Sequence, residues 1–378
     1  MYTWHTNIEK LGLVIFIVFA FFSAIQFYYY LRVYLPVLFY KKKGGQNTPP
    51  LSVVICAKNE SHNLKKNLPY VLNQDYPDFE VIVVDDGSTD NTGEILGEYI
   101  SKHKNLKTTS IPIPNDPKFS HGKKLAVTVG VKSAKNEWVI FTDADCFPES
   151  DQWLRNIAQK TDSKEIILGY GGYQRQKSLL NNFIRFETVN IALMYLGYAI
   201  ARKPYMGIGR NLAYKKKLFL DNKGFANNYG IQSGDDDLFI NETATASNTS
   251  VTINSNSFTR SEAAKTWKNL FHQKTRHLTT ANKYKSMHSF MIGMEPLSRA
   301  WFYFLLAILL ITNSFFIPTL AIVGSRFIIQ LIIYIATSQR FKEKNIWVFF
   351  IFFDLFSLFF NFLAYFALII RPKQIKWR

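Results

Sequence analysis

Long uncharged stretches occupy the two ends of the chain, whereas short apolar runs alternate with polar segments in the middle. Residues 11–31 contain no charged side chain, and a helix of 21 residues spans the roughly 30 Å hydrocarbon core of a bilayer. Three further apolar stretches predict helices at about 299–317, 318–338 and 346–370. The pattern therefore predicts one N-terminal and about three C-terminal transmembrane helices.

These stretches bound a central segment that is long enough to bury a core. We predict an N-terminal anchor over residues 1–40, a globular domain over 41–262, amphipathic interfacial helices over 263–298 and a transmembrane region over 299–378. In residues 263–285, apolar side chains recur at helical spacing and basic side chains fill much of the opposite face, a pattern typical of a helix on a membrane surface. A core helix of the globular domain is the alternative.

Three apolar runs in the central segment each end in polar residues. The runs cover residues 51–57, 79–84 and 137–142, and helical patterns follow over 91–102 and 123–134. Strands that alternate with helices predict an α/β fold with a parallel sheet. Because ligands bind at the carboxyl ends of such strands, we expect the three polar clusters to share one site.

The polar residues at these strand ends are mostly acidic. Asp143 and Asp145 stand two positions apart, and hard oxygen ligands of this kind suit Mg²⁺ or Mn²⁺ carrying a diphosphate. Asp85 or Asp86 is suited to accept a hydrogen bond from a base or ribose, and Lys123 is suited to meet phosphate charge. An Asp-Gly-Ser-Thr segment is also an ordinary turn and helix cap, so each signal is weak by itself.

The ordered set of motifs resembles the family 2 glycosyltransferases, which have the GT-A fold. The matching segments, in chain order, are VVICAKNE (53–60), VIVVDDGS (81–88), GK (122–123), TDAD (142–145), GIGRN (207–211), SGDDDL (233–238) and QKTRH (273–277). The resemblance covers about residues 50–280 and is strongest to the membrane-bound branch with hyaluronan, chitin and cellulose synthases and ceramide glucosyltransferase. The signature of that branch is three aspartate motifs followed by Gln-x-x-Arg-Trp.

The resemblance implies a role for each matching position. The donor would be bound by Glu60, Asp85, Asp86, Lys123, Asp143, Gln273 and Arg276, the metal by Asp143 and Asp145, and the acceptor by Gly209, Arg210, Asp235 and His277, with Asp236 as the general base. Asp235 and Asp237 flank Asp236, so register favours Asp236 but leaves a neighbour open. His277 stands where the family has a tryptophan that lines the acceptor site. It either contacts a sugar or is a solvated interfacial histidine.

The resemblance implies a membrane-anchored inverting glycosyltransferase that moves a sugar from a UDP-sugar to a hydroxyl of a lipid or lipid-linked glycan acceptor, with Mg²⁺ or Mn²⁺ as cofactor. A processive polysaccharide synthase is the alternative. Four membrane segments are few for a polymer channel and the tryptophan is missing, so we favour single addition. A non-catalytic membrane protein that binds sugar nucleotides is an alternative of another class.

The placement of charge bears on partners and topology. Of the net charge of +17, residues 1–40 carry +1, residues 299–378 carry +7 and the segment between them carries the remaining +9. The charge lies mostly beside membrane segments rather than on a groove, so we expect no nucleic-acid partner. The basic run 41–43 predicts a multi-pass protein of the cell (inner) membrane with a cytosolic catalytic domain. Four crossings then place the basic tail 371–378 outside, against the same rule, so its side stays open.

Two pairs of single residues also support specific expectations. Arg326 and Asp354 lie in neighbouring predicted membrane helices at depths that differ by about 6 Å, and intramembrane charges pair, so we predict a salt bridge. A contact with a lipid-linked acceptor ranks lower. We expect Cys56 and Cys146 to be buried, reduced thiols of a cytosolic domain.

Overall fold

The computed structural model describes residues 2–41, 45–112, 122–231 and 233–370. The chain divides into two compact units. Within the described residues, one unit contains the chain up to Phe39 together with Lys285–Leu363, and the other contains Tyr40–Tyr284 and residues 364–370. The basic run at 42–43 and the tail 371–378, on which part of the predicted topology depends, lie outside the described residues.

Helices form the first unit and cover the sheet of the second. In chain order they are α1 (Tyr2–Tyr28), α2 (Leu35–Phe39), α3 (Ser61–Leu72), α4 (Thr92–Lys102), α5 (Lys123–Ser133), α6 (Trp153–Ala158), α7 (Leu179–Ile200), α8 (Lys216–Asp221), α9 (Asp237–Thr243), α10 (Trp267–Leu278), α11 (Ser286–Ile311), α12 (Phe316–Arg340) and α13 (Phe350–Ile370). A π-helical segment, Tyr29–Tyr34, joins α1 to α2.

The strands belong to the second unit. They are β1 (Leu51–Ala57), β2 (Phe79–Asp85), β3 (Leu106–Ser110), β4 (Trp138–Phe141), β5 (Cys146–Pro148), β6 (Ile166–Leu168), β7 (Gly171–Tyr173), β8 (Leu212–Lys215), β9 (Thr249–Val251) and β10 (Thr259–Ser261). A seven-stranded sheet has the order β3-β2-β1-β4-β8-β6-β9, and a three-stranded sheet has the order β5-β10-β7. The predicted α/β class is confirmed, and the three predicted strands are β1, β2 and β4.

The expectation of a purely parallel sheet is wrong at β8. Strands β1 to β4 run parallel, whereas β8 runs antiparallel to both β4 and β6. In this register Leu212, at the start of β8, lies opposite Phe141, at the end of β4. The reversed direction therefore brings the residues that precede β8 to the same edge as the residues that follow β4.

Register also aligns the first two strand ends. Ala57 at the end of β1 pairs with Asp85 at the end of β2, and Val54 pairs with Phe141 of β4. Every residue of β1 is buried, as expected for a central parallel strand covered on both faces. The polar residues that follow these strands therefore emerge at one edge of the sheet.

Close packing of α5 against the sheet sets the position of its first residue, Lys123. A Cβ atom added to Gly130 would lie 2.4 Å from a methyl carbon of Val54 and 3.2 Å from one of Val84, so only glycine permits this approach. The N-terminus of α5 lies at the edge where the acidic loops emerge.

Among the described residues, four helical segments are long and apolar enough to cross a membrane: Glu9–Phe39, Ser286–Ile311, Phe316–Arg340 and Phe350–Ile370. This confirms one N-terminal and three C-terminal candidate spans. Aromatic side chains pack between these helices. For example, the rings of Phe19 and Phe302 stack with centroids 5.2 Å apart.

The predicted bounds of the C-terminal spans need correction. The first was expected to begin at about 299, but α11 begins at Ser286 and includes Glu295 and Arg299. These charges interrupt the apolar pattern in sequence, yet each residue is only 8% exposed and the two form an ion pair at 3.5 Å. The predicted interfacial segment 263–298 is therefore divided. Its first part forms α10 in the second unit, and its last part belongs to α11 in the first.

The predicted salt bridge between Arg326 and Asp354 is confirmed. The guanidinium Nη2 of Arg326 lies 2.7 Å from Oδ2 of Asp354, and Arg326 is fully buried. Asp354 also accepts hydrogen bonds from Arg299 at 3.0 Å, Gln330 at 2.9 Å and Tyr303 at 2.6 Å. A single carboxylate on α13 thus joins side chains of α11 and α12, and of these contacts the sequence predicted only the one with Arg326.

We expect Asp354→Asn to destabilise the first unit strongly. The change removes the negative charge between two buried guanidinium groups, and breaking a buried ion pair costs about 3–5 kcal/mol. The thermal unfolding midpoint of the full chain in detergent should fall. Asp221→Asn makes the same chemical change in the exposed pair Asp221–Lys217 and should leave the midpoint nearly unchanged. Equal midpoints for wild type and Asp354→Asn would contradict the expected contribution of this ion-pair network to stability.

Candidate active site

Side chains from separate parts of the chain line one small pocket at the carboxyl edge of the seven-stranded sheet. Lys123 comes from the first turn of α5, Asp143 follows β4, Gly209 precedes β8, and Asp235 and Asp236 precede α9. Val54, Cys56 and Phe141 of β1 and β4 form the apolar part of the lining. The structure therefore brings together residues that are more than 100 positions apart in sequence, as the expected convergence of strand ends requires.

Lys123 bridges two of the acidic segments. Its Nζ lies 2.8 Å from Oδ1 of Asp143 and 3.1 Å from Oδ2 of Asp235. Burial alone would lower the pKa of Lys123, but the charges of Asp143, Asp235 and Asp236 raise it well above its ordinary value. Burial likewise favours a higher pKa for Asp143, yet Lys123 lowers it below the ordinary value. Lys123 is therefore a stable cation and Asp143 a stable anion.

Asp236 has the opposite electrostatic character. Its Oδ2 accepts the backbone N–H of Gly209 at 2.6 Å, and its Oδ1 accepts the N–H of Asp237 at 2.8 Å. Burial and the negative charges of Asp235 and Asp237 raise the pKa of Asp236 to about 7, against the opposing influence of Lys123. A carboxyl group with this pKa can take up a proton near neutral pH, which is the property that a general base needs.

Asp143, Asp145 and Cys146 each offer a ligand atom, and these atoms lie within 4.8 Å of one another. Burial and the charge of Asp143 raise the pKa of Asp145, so the two carboxylates repel where they stand. The thiol of Cys146 lies 3.2 Å from Oδ1 of Asp145, and burial raises its pKa well above the ordinary value. A divalent cation fits this arrangement, because two oxygen anions on one loop match Mg²⁺ or Mn²⁺.

The residues expected to hold the nucleoside lie at the end of β2 and just after β1 and β2. Asp85 accepts the backbone N–H of Ser88 at 3.0 Å, which forms the turn expected of Asp-Gly-Ser. Asp86 is buried, with Lys58 Nζ 3.7 Å from its Oδ2. Glu60 accepts a hydrogen bond from Asn63 at 2.6 Å, and burial together with the charges of Asp145 and Asp143 raises the pKa of Glu60.

Cys56 of β1 lies among the charged groups of the pocket. Its thiol is buried, and burial together with the negative charges of Asp235, Asp143 and Asp86 raises its pKa, in spite of the opposing charge of Lys123. All four charged groups are therefore within electrostatic range of one atom. The expectation that Cys56 and Cys146 are buried, free thiols is confirmed.

The Gln-x-x-Arg-His segment lies on α10. Gln273 donates a hydrogen bond to the hydroxyl of Tyr173 at 3.2 Å, and the guanidinium of Arg210 lies 4.4 Å from the centre of the Tyr173 ring. Arg210 and Arg276 are both close enough to Asp143 to contribute to the lowering of its pKa by Lys123. The two arginines are therefore part of the same electrostatic centre.

His277 is exposed to solvent. Loss of hydration around the ring, together with the positive charges of Arg276 and Lys274, lowers the pKa of His277 below the ordinary value, so the imidazole is neutral at pH 7. A neutral imidazole offers one hydrogen-bond donor and one acceptor. Contact with a hydroxyl-rich acceptor therefore stays a prediction for this position.

Several contacts in the site were not predicted from sequence. Tyr173 joins Gln273 to Arg210, and a Cβ at Gly171 would come within 2.7 Å of the Arg210 side chain, so this glycine makes room for the stack. Thr280 and Tyr284 donate hydrogen bonds to Asp237 at 2.6 and 2.8 Å. No local pattern marks these residues, because each acts across a distance in sequence that only the fold closes.

Part of this chain matches a known protein family. Residues 52–220 match the family model of glycosyl transferase family 2. The chain carries a family 2 glycosyltransferase domain. The matched residues of this glycosyltransferase domain run from β1 to the end of β8 and α8, and they include Lys123, Asp143 and Arg210.

Curated relatives match part of this chain. A poly-beta-1,6-N-acetyl-D-glucosamine synthase of Staphylococcus epidermidis is 28% identical over 152 residues, which cover 40% of this chain and 35% of that protein. The probable glycosyltransferase YdaM of Bacillus subtilis is 28% identical over 187 residues, which cover 47% of this chain and 43% of that protein. The matches thus span less than half of either relative.

Among solved structures, the mannosyltransferase PcManGT from Pyrobaculum calidifontis, in complex with GDP-Man and Mn²⁺, aligns with a TM-score of 0.57. The alignment covers 89% of this chain and 99% of that protein at 17% identity. A likeness at this identity concerns the fold alone, and it confirms the GT-A class expected from the motifs.

The raised pKa of Asp236 predicts a pH-dependent effect on stability. The wild-type carboxyl takes up its proton more readily in the folded chain, so ionisation of Asp236 destabilises the fold increasingly as pH rises from about 4 to about 7. Asp236→Asn should therefore unfold about 2–4 °C above wild type at pH 8, and this gap should close as the pH falls toward 4. Unfolding is measured by differential scanning fluorimetry in detergent.

Asp90→Asn is the control for that series. Hydrogen bonds from Thr92 and Ser61 outweigh partial burial and lower the pKa of Asp90 to about 2, so its ionised form stabilises the fold at neutral pH. Asp90→Asn should lower the midpoint at pH 8, opposite to Asp236→Asn. A lower midpoint for Asp236→Asn at pH 8 would mean that the charge of Asp236 is well compensated.

Proposed function

We propose that this protein is a membrane-anchored, inverting glycosyltransferase that transfers one sugar from a UDP-sugar to a hydroxyl of a lipid or lipid-linked glycan. The observation that carries the proposal is the convergence of Lys123, Asp143, Asp235 and Asp236 in one pocket of a family 2 glycosyltransferase domain. The four apolar helices support a membrane-bound acceptor, because a lipid-linked hydroxyl is confined to the bilayer surface.

The donor is proposed to lie along the carboxyl edge of the sheet. Asp85, Asp86 and Glu60, after β1 and β2, hold the nucleoside, and Lys123, Gln273 and Arg276 face the diphosphate. Lys123 is cationic and lies within 3.1 Å of two carboxylates. Phosphate oxygens of the bound donor would replace these carboxylates as the anionic partners of Lys123. The positive charges of this group stabilise the leaving diphosphate.

Asp143 and Asp145 are proposed to hold Mg²⁺ or Mn²⁺. When bound, such an ion offsets negative charge that develops on the departing diphosphate. The two carboxylates repel each other without a cation, as the raised pKa of Asp145 indicates, and the ion relieves that repulsion. Metal binding and donor binding are therefore expected to support each other.

Asp236 is proposed to act as the base. Its Oδ2, oriented by the N–H of Gly209, takes the proton from the acceptor hydroxyl as the hydroxyl oxygen attacks the anomeric carbon on the face opposite the diphosphate. The bond to the new oxygen forms while the bond to the diphosphate breaks, which inverts the configuration. Gly209, Arg210, Asp235 and His277 line the acceptor side in this arrangement.

We further propose an orientation in the membrane. The glycosyltransferase domain lies on the cytosolic side of the cell's inner membrane, because nucleotide sugars are made in the cytosol. Protease accessibility in sealed inverted vesicles tests this placement. Cleavage within the domain only after the vesicles are opened would contradict it.

The direct test is transfer by the purified full chain in lipid nanodiscs. A panel of UDP-sugars is offered with lipid extracts and Mn²⁺, Mg²⁺ or EDTA, and products are identified by mass spectrometry of the lipid and polymer fractions. Transfer that requires a divalent cation supports the proposal. Nucleotide binding by calorimetry without transfer in any combination favours a non-catalytic sugar-nucleotide-binding protein instead.

Asp236→Asn should lower kcat by about 10²- to 10⁴-fold, the range for loss of a general base, while UDP affinity stays unchanged. In the wild type, kcat/KM should rise with pH up to about 7 and then level off, because the base must be unprotonated. Asp235→Asn makes the same change at the neighbouring position and should act mainly on UDP affinity through Lys123. A larger kcat loss in Asp235→Asn would move the base to Asp235.

A processive synthase is the second candidate, favoured by the similarity to the poly-beta-1,6-N-acetyl-D-glucosamine synthase. We favour single addition because His277 replaces the tryptophan of the synthases and because the part of the chain that the structure describes has only four candidate spans, formed by α1 with α2, α11, α12 and α13. Product length separates the two. One added sugar per acceptor supports the first candidate, and a ladder of oligosaccharides on one acceptor supports the second.

A further inference from the structure

The three consecutive aspartates before and at the start of α9 have three different kinds of partner. Asp235 meets the ammonium of Lys123, and Asp236 meets the backbone N–H of Gly209. Asp237 uses both of its carboxylate oxygens within the fold. Oδ1 accepts the N–H of Leu238 at 2.7 Å, and Oδ2 accepts two side-chain hydroxyls. Asp237 therefore differs from its neighbours in that one of its oxygens accepts hydrogen bonds from two side-chain hydroxyls.

The two hydroxyl donors come from beyond α10. The Thr280 hydroxyl lies 2.6 Å from Oδ2 of Asp237 and 2.9 Å from the carbonyl oxygen of His277. Since a hydroxyl has one hydrogen, it serves one of these acceptors at a time, and the charged carboxylate forms the stronger bond. The Tyr284 hydroxyl lies 2.8 Å from the same Oδ2. We call these three side chains the Asp237 clasp.

The clasp joins two parts of the site. Thr280 and Tyr284 follow directly on the helix that carries Gln273 and Arg276, and Thr280 is only 2% exposed. The ring of Tyr284 is held by Tyr205, with centroids 6.2 Å apart. The hydroxyl therefore approaches Asp237 from a supported position rather than from a freely rotating side chain.

The segment that carries Asp235 and Asp236 depends on its two ends. Gly234 precedes it with a φ of +90°, where a side chain would be strained and would approach the Leu238 side chain to 2.5 Å. Asp237 closes it at the first residue of α9. With one end formed by a glycine, the orientation of the two carboxylates relies on the anchor at the other end.

We propose that Thr280 and Tyr284 are positioning residues that hold Asp237, and through it set the orientation of Asp235 toward Lys123 and of Asp236 toward Gly209. The inference rests on the proposed function and adds to it a coupling between α10 and the segment that carries Asp236. Because Thr280 and Tyr284 tie the two together, a donor that holds α10 in place also holds Asp236 in place. A displacement of about 1 Å at reacting groups costs on the order of 10²-fold in rate.

Tyr284→Phe and Thr280→Val each remove one hydroxyl of the clasp with little change in volume. We expect kcat to fall by about 10- to 100-fold in each variant while the dissociation constant of UDP, measured by calorimetry with Mn²⁺, changes less than two-fold. Thr280→Ser restores the hydroxyl and should recover most of kcat. Tyr229→Phe, which removes the hydroxyl of an exposed tyrosine, is the control and should behave as wild type.

The pH profile adds a readout that a purely structural role would not move. Asp236 faces the charges of Asp235, Asp237 and Lys123. Asp237→Asn keeps an oxygen for the clasp but removes one negative charge, so the rise of kcat/KM should shift to lower pH. Thr280→Val should lower kcat with a smaller shift.

The outcomes separate the clasp from the proposed function. If the wild type binds UDP but transfers no sugar, the proposed function fails and the clasp has no reaction to position. If the wild type transfers sugar and Tyr284→Phe and Thr280→Val keep its kcat and pH profile, the clasp is refuted. A parallel loss of UDP affinity, thermal stability and kcat in both variants, without rescue by Thr280→Ser, would also refute it.

Discussion

The ammonium of Lys123 between Asp143 and Asp235 is the interaction on which the site depends. Without it, the carboxylates of two distant segments would repel each other in a partly buried pocket. Asp236 shows what happens where compensation is incomplete, because its pKa rises to about 7. One cation thus compensates the charges of Asp143 and Asp235, whereas the carboxyl group of Asp236 can exchange a proton.

The architecture around this cation serves to place it. Gly130 lets α5 lie close against β1, and the antiparallel direction of β8 delivers Gly209 beside the end of β4. The Asp237 clasp links Asp237 by hydrogen bonds to Thr280 and Tyr284, at the C-terminal end of the domain. The same rule holds in the helical unit, where Asp354 gathers Arg326 and Arg299. In both units, buried charge is tolerated because the opposite charge is supplied from another element.

Local pattern was sufficient for much of the outline. Apolar runs predicted β1, β2, β4 and the four candidate spans, because burial in a sheet or a bilayer requires an uninterrupted apolar sequence. Local pattern did not predict that α11 begins at Ser286. Glu295 and Arg299 interrupt the apolar run in sequence, although they neutralise each other inside the unit. Local pattern also missed the direction of β8, because strand direction depends on the path of the connection and not on the residues of the strand.

The sequence by itself determined which residues could do chemistry here. Asp143, Asp145, Lys123 and the three consecutive aspartates stand in a spaced order that marks the family, and ligand chemistry follows from residue type. Only the tertiary structure decided how the aspartates differ. Three identical side chains in a row acquired a salt bridge, a backbone donor and two hydroxyl donors respectively, because each meets a different distant element. Protonation and orientation are properties of those surroundings, which the order of residues does not contain.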